Sequence, residues 1–473
     1  MRFHLRGIMS ARSLLFKLSL PAVWALMLAA GPAHALQPLQ VFLDSARDGG
    51  SPDVLEAEAT ARQQDALADV QLGRALPGIN VRGTYTHNQY DAVFAFQSDA
   101  GMGTMGQPGY VPPTYSTITI QPYNQFDLYA TLNVPLIDLA QFKRISAARK
   151  NTEVSLKQAE ATQLQVSGAV AQAYYQLVAN LALVEASKRQ LEASNQSLGL
   201  TSDRFKLGAT PELDVDRAKS QSEQQVQQLA SANLQLAIAA RSLFATSGLD
   251  PVIDTQIDFT GDLHQEAALE EYAKQLDNVP NVQAAALTTQ QAEAARTAQN
   301  LTLVPSLAGS FTEHLSNAPG FTGSDASYQL SIAATWNIDF TNFANNRAAG
   351  AAADAARARE LRARLAAGTA ISNDWNAVKA AIARSQSARA EVSSSKHGAD
   401  IALDRYKAGS ATQLDLLQAQ RDAFTAEVSR IQADADLANS RAQLRLSVGK
   451  PLDNVSANAT THSPSNQQGV QPK

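Results

Sequence analysis

The chain has 473 residues, with hydrophobic residues at 45%, charged residues at 18% and a formal net charge of −5. These proportions exclude a collagen-like or wholly disordered chain, and the mild acidity argues against nucleic acid as the main partner, since phosphate neutralisation needs a basic face. The absence of cysteine rules out disulfide scaffolds, Cys-ligated zinc, iron–sulfur clusters, thiol catalysis and lipid attachment at an N-terminal Cys.

Arg2, Arg6, Arg12 and Lys17 precede an apolar run over 18–30 that ends at Ala33-His34-Ala35. This is the layout of a secretory signal peptide, with 1–35 removed after Ala35. The run is too short to span a bilayer as a stable helix. No later stretch is apolar over transmembrane-helix length, so any membrane crossing must be made by β-strands.

Period-two alternation predicts a strand over 78–87, where Ile79, Val81, Gly83 and Tyr85 oppose Asn80, Arg82, Thr84 and Thr86. A Gly-, Pro-, Tyr- and Thr-rich insertion over 88–123 reads as a long surface loop. A second strand over 125–134 sets Phe126, Leu128, Ala130, Leu132 and Val134 against Gln125, Asp127, Tyr129, Thr131 and Asn133. Residues 142–206 then contain no Pro and only two glycines, Gly168 and Gly199. That is about 100 Å of helix at roughly 1.5 Å per residue. Val170, Leu177, Val184, Leu191 and Leu198 recur every seventh position, and Val215, Ser222, Leu229, Leu236 and Leu243 repeat the spacing in a return helix over 211–247.

The second half repeats this order. Strands are predicted over 306–314 and 328–340, and long helices over 343–407 and 412–448. Ile371, Trp375, Val378 and Ile382, and Leu417, Phe424, Val428, Ile431, Ala435, Ala438 and Ala442, follow a coiled-coil rhythm. The duplication is clearest in Arg204-Phe205-Lys206-Leu207-Gly208-Ala209-Thr210-Pro211-Glu212-Leu213-Asp214 against Arg405-Tyr406-Lys407-Ala408-Gly409-Ser410-Ala411-Thr412-Gln413-Leu414-Asp415. Collinear matches join Ser51-Pro52-Asp53-Val54 to Val279-Pro280-Asn281-Val282, Leu76-Pro77-Gly78 to Val304-Pro305-Ser306, and Leu132-Asn133-Val134 to Trp336-Asn337-Ile338. The polar tail, 453–473, reads as disordered.

Each strand has the length a tilted strand needs to cross a membrane core, and Tyr85, Phe126, Trp336 and Phe340 near strand ends suit interfacial girdles. Four strands cannot close, and an open edge cannot sit in lipid, so copies must assemble. Two copies give eight strands and three give twelve; a channel favours three. The bland alternative is a soluble sheet with one wet face.

The duplicated R-[FY]-K-x-G-x₄-L-D turn, the strand–strand–long-helix order and the signal peptide resemble the TolC family of outer-membrane efflux and secretion channels, from about Leu36 to Pro451. The resemblance implies a mixed α and β membrane fold: a homotrimer whose 12-stranded outer-membrane barrel continues into a hollow periplasmic α-helical barrel. It implies the exit channel of a tripartite efflux, or type I secretion, system, passing small toxic compounds and docked on a periplasmic adaptor and an inner-membrane pump. It also makes 36–250 and 265–452 the two repeats. Residues 39–75 and 265–300 become the short helices entering each strand, and 251–264 the inter-repeat linker in the belt.

In this family the two helix–turn–helix tips form the periplasmic entrance. An entrance carboxylate often lies six residues after the turn Gly, which is Asp214 in the first half and Asp415 in the second. Gln418 stands where some members carry a second acid and Ala411 where the family has an Arg, while Tyr406 is retained. Local structure offers a plainer account. Gly208 and Gly409 suit a left-handed helix end, Thr210-Pro211 an N-cap followed by Pro, and Thr412 the equivalent turn of the second half. Either Asp favours its helix dipole from the first turn.

The enzyme inventory fails. His87, His264, His314, His397 and His462 are scattered, and His397 with Asp400 falls short of a metal site. Gly101-Met102-Gly103-Thr104-Met105-Gly106 lacks the strand and helix a dinucleotide site needs, and neither a P-loop nor a G-x-S-x-G elbow occurs. No catalytic residue, cofactor or metal is expected, and energy must come from a partner. Remaining alternatives are a trimeric coiled-coil adhesin with an anchoring barrel, a soluble periplasmic adaptor and a diffusion porin.

Overall fold

The computed structural model describes residues 36–99, 102–103, 105–253 and 262–452. The signal peptide, the tail, Gly101, Thr104 and the middle of the inter-repeat linker lie outside the described residues. In order, the elements are α1 (Leu39–Ser45), α2 (Pro52–Gly73), β1 (Gly78–His87), β2 (Ala92–Gln97), β3 (Tyr115–Gln121), β4 (Asn124–Ile137), α3 (Leu139–Lys206) and α4 (Glu212–Ser247). The second half has α5 (Leu269–Ala273), α6 (Pro280–Leu301), β5 (Ser306–Ser316), β6 (Ala326–Thr335), α7 (Phe340–Lys407) and α8 (Gln413–Ser447).

The duplication holds at the level of elements. Helices α2 and α6 both have 22 residues and both begin on a proline, Pro52 and Pro280, whose missing N–H costs nothing in a first turn. Helices α3 and α7 both have 68 residues. Each is started by an aspartate: the Asp138 carboxylate accepts the Gln141 N–H at 2.8 Å, and Asp339 accepts that of Asn342 at 2.7 Å. These caps satisfy N–H groups that have no partner within the helix.

Three expectations are corrected. The strand drawn over 328–340 stops at Thr335, which pairs with Ser306, the first residue of β5; beyond it no partner strand remains. Trp336 therefore lies outside the strand, donating from Nε1 to the Leu303 carbonyl at 2.8 Å, and Phe340 opens α7 at 92% exposure. Asp138 and Asp339, not Leu132 and Trp336, mark equivalent positions at the junction. The insertion over 88–123 is more than a loop: it contains the antiparallel pair β2–β3. Phe94 of this hairpin meets Phe321 of the β5–β6 turn edge-on at 5.5 Å.

The main sheet is antiparallel in the order β1-β4-β5-β6, leaving one edge of β1 and one of β6 unpaired within the protomer. Its two faces differ sharply. One carries Ile79, Val81, Leu330 and Ile332, all more than 60% exposed. On the other, polar side chains pair across strands: Ser310 with Ser331 at 2.7 Å, Thr131 with Thr312 at 3.2 Å, and His314 with Asp127 at 2.9 Å. An aliphatic face left bare beside a satisfied polar face is the pattern of a barrel wall with lipid outside and water inside. Among the described residues no helix is long and apolar enough to cross a membrane.

The helices form a single layer. Helices α2 and α4 pack on one flank of α3, α6 and α8 on the other, and α7 lies beyond α6 and α8. Of the first-half heptad residues, Val170, Leu177, Val184, Ser222 and Leu243 are buried, and Val170, Leu177 and Leu243 join a core with Phe42 and Leu43 of α1. Tyr174, in the same core, has its phenol pushed up to about 12 by burial. The α4 seam has a second column that the hydrophobic pattern concealed, Ala218, Gln225, Ala232 and Ala239, buried at seven-residue spacing.

Candidate functional site: the paired hairpin tips

Each long hairpin turns by the same device. At the end of α3, Gly208 has φ +72°, its N–H donates to the Phe205 carbonyl at 2.9 Å, and the Ala209 N–H reaches Arg204 O at 2.9 Å. At the end of α7, Gly409 has φ +79°, with the matching bonds to Tyr406 O at 3.0 Å and from Ser410 to Arg405 O at 2.8 Å. These crossed bonds satisfy the last helical carbonyls, and the positive φ at their centre suits glycine.

Helix α8 is capped by a reciprocal pair at its first turn. The Thr412 hydroxyl oxygen accepts the Asp415 N–H at 3.2 Å, and the Asp415 carboxylate accepts the Thr412 N–H at 3.0 Å and its hydroxyl at 2.7 Å. This reciprocal box is the structural role of Asp415. The two bonds from Thr412, side chain and then backbone, hold its carboxyl below the usual aspartate range. The first tip differs from the expectation. Pro211, not Thr210, occupies the N-cap position, and α4 starts at Glu212. Pro211 has no side-chain oxygen to cap with, so Thr210 instead donates to Asp214 Oδ2 at 3.0 Å, and Arg217 lies 3.4 Å from Asp214 Oδ1.

Of the four entrance candidates, only Tyr406 joins the two hairpins. It is 2% exposed, with its phenol oxygen 3.0 Å from Thr201 Oγ1 of α3. The same Thr201 hydroxyl lies 3.0 Å from Gln413 Oε1 of α8. Arg204 spans the gap as well, its guanidinium 4.8 Å over the Tyr406 ring and hydrogen-bonded to the Tyr406 carbonyl. Gln418, by contrast, bonds Asp422 along its own helix at 2.8 Å. Asp214 and Asp415 each serve their own turn. The inter-hairpin partners Thr201, Arg204 and Gln413 escaped sequence reasoning. Gln413 reads as an ordinary first-turn residue, and Arg204 as half of a duplicated motif whose mate, Arg405, makes no equivalent crossing bond.

Higher up, a charged knot fixes α7, α8 and α3. Asp434, fully buried, receives Arg389 at 2.9 Å and Arg430 at 3.1 Å, and also the Ser385 hydroxyl. Glu427 receives Arg430 and Lys396, both at 3.0 Å, with Arg189 of α3 at 3.9 Å. Burial pushes the Glu427 carboxyl up, but the bonds from Arg430 and Lys396 outweigh it, and the net displacement is downward. Along α3, Ser187, Ser194 and Ser197 are buried without a bonding partner for their Oγ atoms.

Residues 46–249 and 272–450 match the family described as outer membrane efflux protein. The chain belongs to the outer membrane efflux protein family. No curated protein is matched. Among solved structures, it is similar to the Campylobacter jejuni CmeC outer membrane channel at 18% identity and TM-score 0.69, over 87% of this chain and 85% of that one. It is likewise similar to a membrane protein from Pseudomonas aeruginosa (20% identity, TM-score 0.71, 87% and 93% covered). The Neisseria gonorrhoeae MtrE outer membrane channel in its open state resembles it at 18% identity and TM-score 0.68, over 88% and 90%. As a member of the efflux protein family the chain is an outer-membrane channel with a large periplasmic portion.

Proposed function

We propose that three copies of this efflux protein assemble into one exit duct, closed at the hairpin tips and opened by a periplasmic adaptor bound to an inner-membrane pump. The observation that carries the reading is the coincidence of free edges. Strands β1 and β6 run antiparallel to each other at the two margins of the sheet, and α2 and α4 on one side and α7 on the other are the margins of the helical layer. A sheet edge in lipid cannot stay unpaired. The β6 edge of one copy therefore completes its ladder on β1 of the next, and twelve strands enclose a hollow lumen.

In this assembly Tyr85 and Phe126, in ring contact at 4.9 Å, sit toward the outer rim of the apolar face, with Trp336 and Phe340 at the inner rim. Asp415 and Asp214 ring the entrance and draw cations to it. The cargo is small toxic compounds, and the energy is the pump's, because the chain carries no nucleotide-binding loop.

Sizing of the detergent-purified protein by light scattering, with single-channel recording in planar bilayers, tests the proposal. A trimer that opens discrete pores is expected. A stable monomer that conducts nothing would overturn it. Cells lacking the protein should gain sensitivity to a panel of toxic compounds, and unchanged sensitivity would reject the efflux role.

A further inference from the structure

We propose that the first turns of the two long helices carry a basic collar that holds anionic phospholipid headgroups of the inner leaflet, resting on the membrane reading above. The collar begins from a repeated pair. Phe142 of α3 and Phe343 of α7 occupy the same position, the fourth residue of each helix, and are 58% and 48% exposed. Neither was legible as a girdle residue, because the sequence alone does not say where strand stops and helix starts. Seven residues after Phe142 comes Arg149, and four after Phe343 comes Arg347. Both spacings keep the side chains on one helix face, displaced by roughly 10 and 6 Å along the axis.

On α3 that face turns away from α2, whereas on α7 it borders α6, whose Glu293 binds Arg357 at 2.8 Å. Gln141, one residue before Phe142, turns toward α2 and donates to the Gln71 carbonyl at 2.7 Å. Arg149 and Arg347 are both exposed, and among the described residues neither pairs with an acid. The carboxylates on the same faces further down, one turn below Arg149 and two below Arg347, are taken: Glu153 by Lys150 at 2.7 Å, and Asp354 by Arg357 at 2.8 Å. An exposed aromatic at the foot of a membrane-spanning sheet belongs at the lipid boundary, not in a water-filled duct. A guanidinium one to two turns beneath it, on the same face, stands at headgroup depth. Arginine's planar fork matches a phosphate bidentately, and basic residues at this depth favour anionic lipid over zwitterionic lipid. Three copies would place six such guanidiniums around the circumference.

The test compares the wild-type protein, the R149Q/R347Q double variant and R384Q, which removes an exposed arginine far down α7. Each is reconstituted in vesicles of phosphatidylcholine alone or with phosphatidylglycerol and cardiolipin. Co-purified lipids are counted by native mass spectrometry, flotation reports insertion, and single-channel recording reports the lumen. The wild type and R384Q should retain anionic lipid preferentially. The double variant should insert and conduct as before while losing that preference by roughly fivefold for each guanidinium removed. Wild-type protein that inserts with no anionic preference, or a double variant that keeps it, overturns the collar and leaves the channel intact. Altered conductance with unchanged lipid retention would place the arginines in the lumen and equally overturn it. A wild type that fails to float with vesicles of either composition would overturn the membrane reading and the collar together.

Discussion

The phenol of Tyr406 and the hydroxyl of Thr201 lie 3.0 Å apart in a wholly buried contact between α7 and α3, so a single hydrogen bond couples the ends of two hairpins. Because Thr201 also bonds Gln413, the contact draws in the first turn of α8. Tip movement in either hairpin must strain or break this chain of three side chains. Tyr406→Phe keeps the ring and the Arg204 contact but removes the bond. It should loosen the tips by about 1 kcal/mol, the usual net contribution of a buried neutral hydrogen bond. Faster amide exchange over 401–415 and more frequent openings in planar bilayers are the readouts; exchange and openings at the wild-type rate would dismiss the coupling.

Asp434 should matter more for stability than any tip residue. Asp434→Ala leaves Arg389 and Arg430 facing a buried gap, and loss of one partner from a buried charge pair costs about 3 kcal/mol or more. Part of that is recovered because Arg389 is 30% exposed and can turn to water. A substantial fall in thermal midpoint, with α7 and α8 losing protection in exchange experiments, is expected. A midpoint within error of wild type would mean the knot is solvated.

Glu427 makes the same region acid-sensitive. Its native carboxyl titrates below the ordinary glutamate value, so the folded state binds fewer protons than the unfolded one as pH is lowered. The stabilisation is therefore complete at neutral pH, where both states are ionised. It falls away as pH drops past the unfolded value of about 4.3 and through the depressed native one. Glu427→Gln should flatten the decline in thermal midpoint over that acid range. An unaltered acid limb would assign the sensitivity to other carboxylates.

Asp415 offers a test of selectivity that separates the cap from the entrance. Asp415→Asn retains an acceptor for the Thr412 N–H and should leave the helix in place while removing one negative charge per copy. Reversal potentials under a salt gradient should then show weaker cation preference. An identical reversal potential would leave Asp415 with its capping role alone.

Two glycines with the same φ of +72° should respond differently to alanine. At Gly208 nothing stands within 4 Å of the added methyl, so the cost is the left-handed backbone alone, about 1 kcal/mol. At Gly248 the methyl would come 2.7 Å from Gly50 Cα, pressing on the joint between α4 and the segment after α1. Gly248→Ala should unfold at a clearly lower temperature than Gly208→Ala, and equal midpoints would contradict the close approach.

The sequence by itself determined whatever is periodic along the chain. The alternation of strands, the Pro-free helical runs, the glycine turns and the duplication are local matters of pleat, pitch and φ, and each is written where it acts. Tertiary structure alone decided what depends on which segments meet. Where β6 ends is fixed by where β5 begins, which is why Trp336 and Phe340 moved out of the strand. That Tyr406 finds Thr201, or that Asp434 gathers arginines from two helices, depends on how long helices align side by side. Their relative rotation and rise come from summed packing over many turns, and no single residue spells that sum.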